Sequence, residues 1–150
     1  MPQSLANVIV HLVFSTKDRR TYFRPEIAAE IHAYLAGIAR NVGAEGVRVG
    51  GPADHVHLAL RLPRTITVAA LVEKLKTSSS KWLKTRAPEL ADFSWQRGYG
   101  VFSVGPAEFE ALIAYIDRQE EHHRQHPFCD EYRAILRQHG VAFDERFMWD

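Results

Sequence analysis

The chain has 150 residues, 46% apolar and 25% charged, which describes a single soluble globular domain over residues 1–150 with a core large enough to fold unaided. Nineteen basic against eighteen acidic side chains give a net charge of +1, so affinity for nucleic acid cannot be read from bulk charge and would need a local basic face. The single cysteine, Cys129, excludes an internal disulfide, no apolar run reaches transmembrane length, and no signal-peptide pattern opens the chain, so a cytoplasmic location is expected.

In chain order, Asn7 to Ser15 reads as a strand with Val8, Val10, Leu12 and Phe14 on one face and Ile9, His11 and Val13 on the other. A strand apolar on both faces belongs in the middle of a sheet, and His11 reads there as a core histidine. Lys17, Arg19 and Arg20 form an exposed loop cluster. Pro25 suits a first helical position, Ile27, Ile31, Tyr34, Leu35 and Ile38 make one apolar stripe, and Gly43 is a stop. Val47 to Val49 is a short second strand that turns at Gly50-Gly51-Pro52.

Asp54-His55-Val56-His57-Leu58-Ala59-Leu60-Arg61-Leu62 then alternates with period two, the mark of a strand with one buried face. Val56, Leu58, Leu60 and Leu62 share one side; His55, His57, Ala59 and Arg61 share the other. Two imidazoles at i and i+2 lie roughly 7 Å apart at the backbone, close enough for both to reach one metal ion or one phosphate. The same pair could simply sit on a solvent-facing side of the strand.

Thr67 is a helix N-cap, and Val68, Leu71, Val72, Leu75, Trp82 and Leu83 repeat at helical spacing. Lys74, Ser78, Lys81 and Lys84 lie on the far side, with Lys76 and Arg86 close by, a face that suits a phosphate backbone or merely solvent. Pro88 ends the helix. Trp95 to Val104 reads as the next strand, with Gly98 and Gly100 marking a bulge or a close approach by another backbone. Gly105-Pro106 opens a third helix over about 107–125, and a fourth follows over about 129–139. The order is βαββαβ, an α+β, ferredoxin-like (RRM-like) antiparallel sheet with additional C-terminal helices.

On the third helix Phe109, Leu112, Ile113 and Ile116 form the core stripe, and Tyr115, Gln119 and His122 a separate one. A phenol and an amide one turn apart, joined to a histidine pair on a strand, suit phosphoryl transfer. The imidazoles and the Gln119 carbonyl hold a divalent ion, and the Tyr115 oxygen attacks phosphorus. An amide ligand points to Mg2+ or Mn2+, whereas a zinc hydrolase would need a further ligand such as His122 or His123.

These residues resemble the HUH single-tyrosine transposases of the smallest bacterial insertion sequences, relatives of the REP-associated tyrosine transposases. The likeness runs nearly end to end, through Val10-His11-Leu12-Val13-Phe14-Ser15-Thr16-Lys17, Asp54-His55-Val56-His57-Leu58, Leu75-Lys76-Thr77-Ser78-Ser79-Ser80, Trp95 to Val104, Tyr115 to His123 and Phe143 to Trp149. It implies His55, His57 and Gln119 as metal ligands, Mg2+ or Mn2+ as the ion, and Tyr115 as the nucleophile carried on a C-terminal helix. It further implies cleavage of single-stranded DNA at hairpin-bearing element ends, a 5′-phosphotyrosine intermediate, and a homodimer whose active sites are shared between subunits. Lys74, Lys81, Lys84 and Arg118 are the expected DNA contacts, Arg118 standing where the family commonly has asparagine. The alternative is a non-catalytic or domesticated single-stranded nucleic-acid-binding protein; its sheet would be expected to stack bases on aromatics, and the His strand carries none.

Overall fold

The computed structural model describes residues 2–119, 122 and 126–150. Its elements are β1 (Ile9–Ser15), α1 (Pro25–Asn41), β2 (Glu45–Gly50), β3 (His55–Arg61), α2 (Val68–Arg86), β4 (Gly100–Val104), α3 (Phe109–Asp117) and α4 (Phe128–Gln138). The strands form one antiparallel sheet in the order β2-β3-β1-β4, so the fold is the expected α+β, ferredoxin-like one and β1 is central in it.

Strand alternation sorts the side chains into two layers. Val10, Leu12 and Phe14 of β1 and Val56, Leu58 and Leu60 of β3 face α1 and α2, packing on Ile27, Ile31, Leu35, Leu71, Leu75 and Leu83. The pairs Leu12↔Leu58 and Val13↔His57 fix the register, and a one-residue slip would throw both histidines into this core. Truncating a fully buried residue here, such as Leu58, to alanine would cost about 2–5 kcal/mol.

The other face is not solvent-facing. His55, His57 and Ala59 are all fully buried, because α3 and α4 cover the side of the sheet that the alternation alone leaves open. Phe109 and Ile116 of α3 pack on Ile9 and Ala59, while Phe128, Tyr132 and Leu136 of α4 pack on Val13 and Phe102.

Several boundaries differ from the sequence reading, for local reasons. Thr67 caps α2 as expected, its side chain accepting from Ala70 N at 3.1 Å. The strand expected from Trp95 is interrupted. Trp95 keeps an isolated antiparallel bridge to Thr16, with Gln96 N donating to Ser15 O at 2.9 Å. The continuous strand begins only at Gly100, since the carbonyls of Gln96 and Gly98 and the N–H of Gly98 are engaged elsewhere. Lys76 Nζ donates to the carbonyls of Gln96 and Gly98, both at 2.7 Å, and Gly98 N donates to Asp150 O at 2.7 Å. The close backbone approach expected at the glycines is therefore that of the C-terminus at Gly98. The third helix is shorter than expected, ending at Asp117 because Arg118 (φ −103°, ψ 13°) leaves the helical region. Of the expected continuation to 125, residues 120, 121 and 123–125 lie outside the described set. Trp149 in the tail sits between the Arg19 and Arg133 guanidinium groups, 5.0 and 5.2 Å from its ring, and against Phe128 and Tyr132.

Candidate active site

The turn into β3 sets the histidines. Gly51 adopts φ 147°, and a Cβ there would collide with the His55 carbonyl oxygen, so the chain can close this tightly only through glycine. Beyond the turn, His55 and His57 project from one face, as their spacing predicts, with ring centroids 5.1 Å apart.

Each ring is oriented through its Nδ1. His55 Nδ1 lies 2.7 Å from Asp54 Oδ1, and His57 Nδ1 lies 2.8 Å from His11 Nε2. Both Nε2 atoms then point at one carboxylate oxygen, Glu131 Oε1, at 3.4 Å from His55 and 3.0 Å from His57. His55, His57 and Glu131 bring ligand atoms within 4.8 Å of one another, and all three are buried. Two imidazoles and a carboxylate, with the imidazoles held from behind, are a donor set that fits a divalent cation.

His11 is buried, as the sequence predicts, yet its role is more than packing: it supports the ring of His57. Burial, then the facing His57, pull its pKa down to about 3 against the opposing charge of Glu131, so at neutral pH it is an uncharged hydrogen-bonding ring. His55 goes the other way. Burial disfavours its charge, but hydrogen bonds and charge from Asp54 and Glu131 outweigh that and raise its pKa. Cation binding there would displace a proton.

Tyr115 stands beside the same cluster. Its ring centroid is 5.6 Å from that of His57, and its hydroxyl donates a hydrogen bond to Glu131 Oε2. Burial, then the Glu131 charge, raise the phenol pKa, with Gln119 opposing weakly. Gln119 is buried next to the phenol as its spacing predicts, although it lies past the end of α3, and neither of its amide atoms closes a well-formed hydrogen bond among the described residues. His122 Nε2 approaches Glu131 Oε2 at 3.2 Å, with its ring 5.5 Å from that of Tyr115. His123 lies outside the described residues.

The expected DNA contacts fall elsewhere. Lys74, Lys81 and Lys84 are exposed on α2, with the sheet between them and Tyr115. Arg118 is exposed just past α3, its Nε donating to Ala114 O at 3.3 Å.

Glu131 is the residue that sequence reasoning missed. The available signal was its position: Phe128, Tyr132 and Leu136 make the buried stripe of α4, and Glu131 is an acidic side chain on that stripe. Charged residues are seldom buried without a partner, so the anomaly marks a site.

A cleft of about 960 Å³ opens between α3 and α4, walled by Val104, Leu112 and Ile135, with Tyr115 and Glu131 among its lining residues. The sequence profile described as "Transposase IS200 like" matches residues 4–119, which spans both histidines and Tyr115. The chain belongs to the IS200-like transposase family. Relatives in the family include the transposases for insertion sequence element IS200 of Salmonella typhimurium (strain LT2) and Salmonella typhi, each 30% identical over 105 residues, or 66% of this chain and 68% of theirs. Among solved structures, a candidate transposase from Deinococcus radiodurans R1 superposes with a TM-score of 0.61 at 24% identity, over 79% of this chain and 98% of its own. A REP-associated tyrosine transposase bound to a REP hairpin superposes with a TM-score of 0.60 at 12% identity, over 96% of this chain and 90% of its own. At those identities the two likenesses are of fold. As an IS200-like transposase, this chain is a DNA-processing protein, and the cluster on β3, α3 and α4 is its candidate catalytic centre. No helix among the described residues is long and apolar enough to cross a membrane.

Proposed function

We propose that this transposase cuts and rejoins single-stranded, hairpin-bearing DNA, with Tyr115 as the nucleophile and a divalent cation, Mg2+ or Mn2+, held by His55, His57 and Glu131. The observation that carries the reading is the contact of the Tyr115 hydroxyl with the carboxylate that also faces both imidazoles. A phenol, an ion-binding set and an open cleft meet at one point, and a module that only bound DNA would need none of that coincidence.

Each residue has a task in this scheme. Asp54 and His11 hold the two imidazoles so that their Nε2 atoms converge. The bound cation would supply Lewis-acid polarisation of a phosphodiester oxygen. Tyr115 attacks phosphorus, forming a 5′-phosphotyrosine link and freeing a 3′-hydroxyl, and the energy of the broken ester is kept for rejoining. Gln119 sits beside the phenol, where its amide favours the ionised form, and is a further ligand available to the cation. The hairpin belongs to the proposal because a structural relative is bound to one. Exposed Lys74, Lys81, Lys84 and Arg118 would hold phosphates away from the centre.

The resemblance implies a homodimer with shared sites. In one chain, however, Tyr115 already stands beside its own His57, so a single copy carries the full set of groups.

The experiment is a covalent-adduct assay. Single-stranded oligonucleotides carrying the imperfect palindromes of the DNA flanking the gene, incubated with Mn2+, should give a protein–DNA adduct on a denaturing gel, and plain duplex should not. Tyr115→Phe should bind the strand and form no adduct. Adduct formation by Tyr115→Phe would remove the nucleophile assignment.

A further inference from the structure

We propose that the cleft between α3 and α4 is a nucleobase pocket. It takes the base of the nucleotide on the 3′ side of the cut, the one whose 5′-phosphate becomes linked to Tyr115. This rests on the tyrosine chemistry proposed above and names the part of the strand that the cleft holds.

The cleft has the size and the walls of a small-molecule site. Its volume of about 960 Å³ lies at the upper end of the range of ligand pockets, roughly 300–1,000 Å³. Val104, Leu112 and Ile135 give it apolar walls. Room between the helices comes from Ala111 of α3 and Ala134 of α4, two small side chains that both line it. His126 also lines it, with its ring 4.9 Å from that of His122, and an imidazole face is a surface on which a base stacks.

Charge decides which part of a nucleotide fits. Glu108 and Asp130 make the lining acidic, so a phosphate would be repelled there. An uncharged base is not, and its amino groups can donate to carboxylates.

Position then selects the nucleotide. Among the described residues Tyr115 and His122 line the cleft and His55 and His57 do not, so it lies on the tyrosine side of the ion-binding set. In phosphoryl transfer the attacking and leaving oxygens stand roughly in line across phosphorus. With Tyr115 attacking, the leaving 3′ oxygen and its nucleotide lie on the side away from the phenol. The other nucleotide, joined through its 5′ oxygen, stays on phosphorus and is bonded through it to Tyr115 after the cut. Its base is one sugar away from that phosphorus, and the cleft opens beside Tyr115. A base seated there keeps the linked strand in place until rejoining.

The test follows the second-order rate constant of adduct formation in Mn2+ with the palindrome-bearing oligonucleotide, intact or with one base removed to leave an abasic sugar. Removing the base 3′ of the cut should slow the wild-type protein by about fivefold or more, the scale of one lost stacking contact. Ala134→Phe fills the cleft from an exposed position on α4 and should slow the intact oligonucleotide by a similar factor. Combined, the two changes should cost little more than either alone, because pocket and base are lost together. Removing the base 5′ of the cut should instead multiply with Ala134→Phe. A base read only by pairing within the DNA, or a cleft that seats a second protein, would give losses that multiply on the 3′ side as well. If Ala134→Phe fails to fold, Ala111→Phe fills the same space from α3 and carries the same test. A smaller loss on removing the 3′ base, losses that multiply there, or overlap with the 5′ base instead, each overturns the inference while the tyrosine reading stands. Absence of any Tyr115-dependent adduct with the intact oligonucleotide overturns both.

Discussion

Gly50 faces Ile116 so closely that a Cβ on the glycine would sit 2.7 Å from the isoleucine Cγ2 and 2.8 Å from its carbonyl oxygen. Gly50 pairs with His57 across the sheet, and Ile116 is the neighbour of Tyr115, so this contact sets the nucleophile's helix against the histidine strand. The Arg48 guanidinium adds a pair to Asp117 at 2.9 Å, exposed and therefore weak.

Gly50→Ala should push α3 outward at its C-terminal end. We expect a stability loss of about 1–3 kcal/mol by denaturant unfolding. Adduct formation should fall further than that loss accounts for, by about 10- to 100-fold, because a misplacement near 1 Å separates reacting groups. Equal activity at unchanged stability would mean that α3 is free to shift without consequence.

His11→Leu should leave the fold near intact and weaken the cation site. It removes the partner of His57 Nδ1 and lets that ring turn. Loss of such a supporting group typically costs 10- to 100-fold in metal affinity, and a Mn2+ titration would read it directly. Unchanged affinity would return His11 to a packing role.

How much of this was legible in the sequence depends on range. The His55 and His57 strand was readable because alternation is local, and the Thr67 cap and the α1 stripe were readable for the same reason. The burial of both histidines was not, since it comes from α3 and α4, whose docking leaves no period-two mark on β3. Glu131 was out of reach of a motif search because it lies 74 residues from His57 and meets it only through the packing of α4 on β1 and β4. The loop at 96–98 reads as strand by its residues, but the Lys76 ammonium takes its carbonyls, and that is a tertiary contact.

His32 gives a pH dependence with a definite sign. Its Nε2 is buried with no hydrogen-bond partner among the described residues, and burial lowers its pKa to about 4. Between about 4 and 6.5 the unfolded chain binds a proton that the folded chain refuses, so this contribution is fully present above 6.5 and is lost as pH falls toward 4. The loss approaches about 3 kcal/mol at the acid end. His55 has the opposite sign, so the comparison must be with a variant: His32→Leu should flatten the stability profile relative to wild type. Parallel urea-unfolding profiles from pH 4.5 to 7 would rule the effect out.

The lysines of α2 should act on affinity and not on chemistry, since the sheet stands between them and Tyr115. Changing Lys74, Lys81 and Lys84 together to alanine should reduce the log–log salt slope of single-strand binding by about 2, at about 0.7 per lost phosphate contact. The single-turnover rate at saturating DNA should hold. An unchanged slope takes α2 out of the DNA path.

Whether tyrosines are exchanged between two copies can be read by mixing two inactive proteins. His57→Ala lacks an intact ligand set, and Tyr115→Phe lacks the nucleophile; each alone should form no adduct. If sites are shared, as the resemblance implies, mixed dimers place one intact histidine pair against one intact Tyr115, and part of the activity returns. If each chain uses its own tyrosine, no mixture recovers anything. We expect no recovery, because Tyr115 is in contact with Glu131 and His57 of its own chain, and because moving α3 to a partner would surrender the Gly50–Ile116 contact and the burial of Phe109 and Ile116 on Ile9 and Ala59. Removing that apolar area from its site costs more than the exposed Arg48–Asp117 pair could return elsewhere. Recovery of adduct in the mixture, scaling with the fraction of mixed dimers, would show instead that the docked helix described here is one of two placements and that the reactive one is in trans.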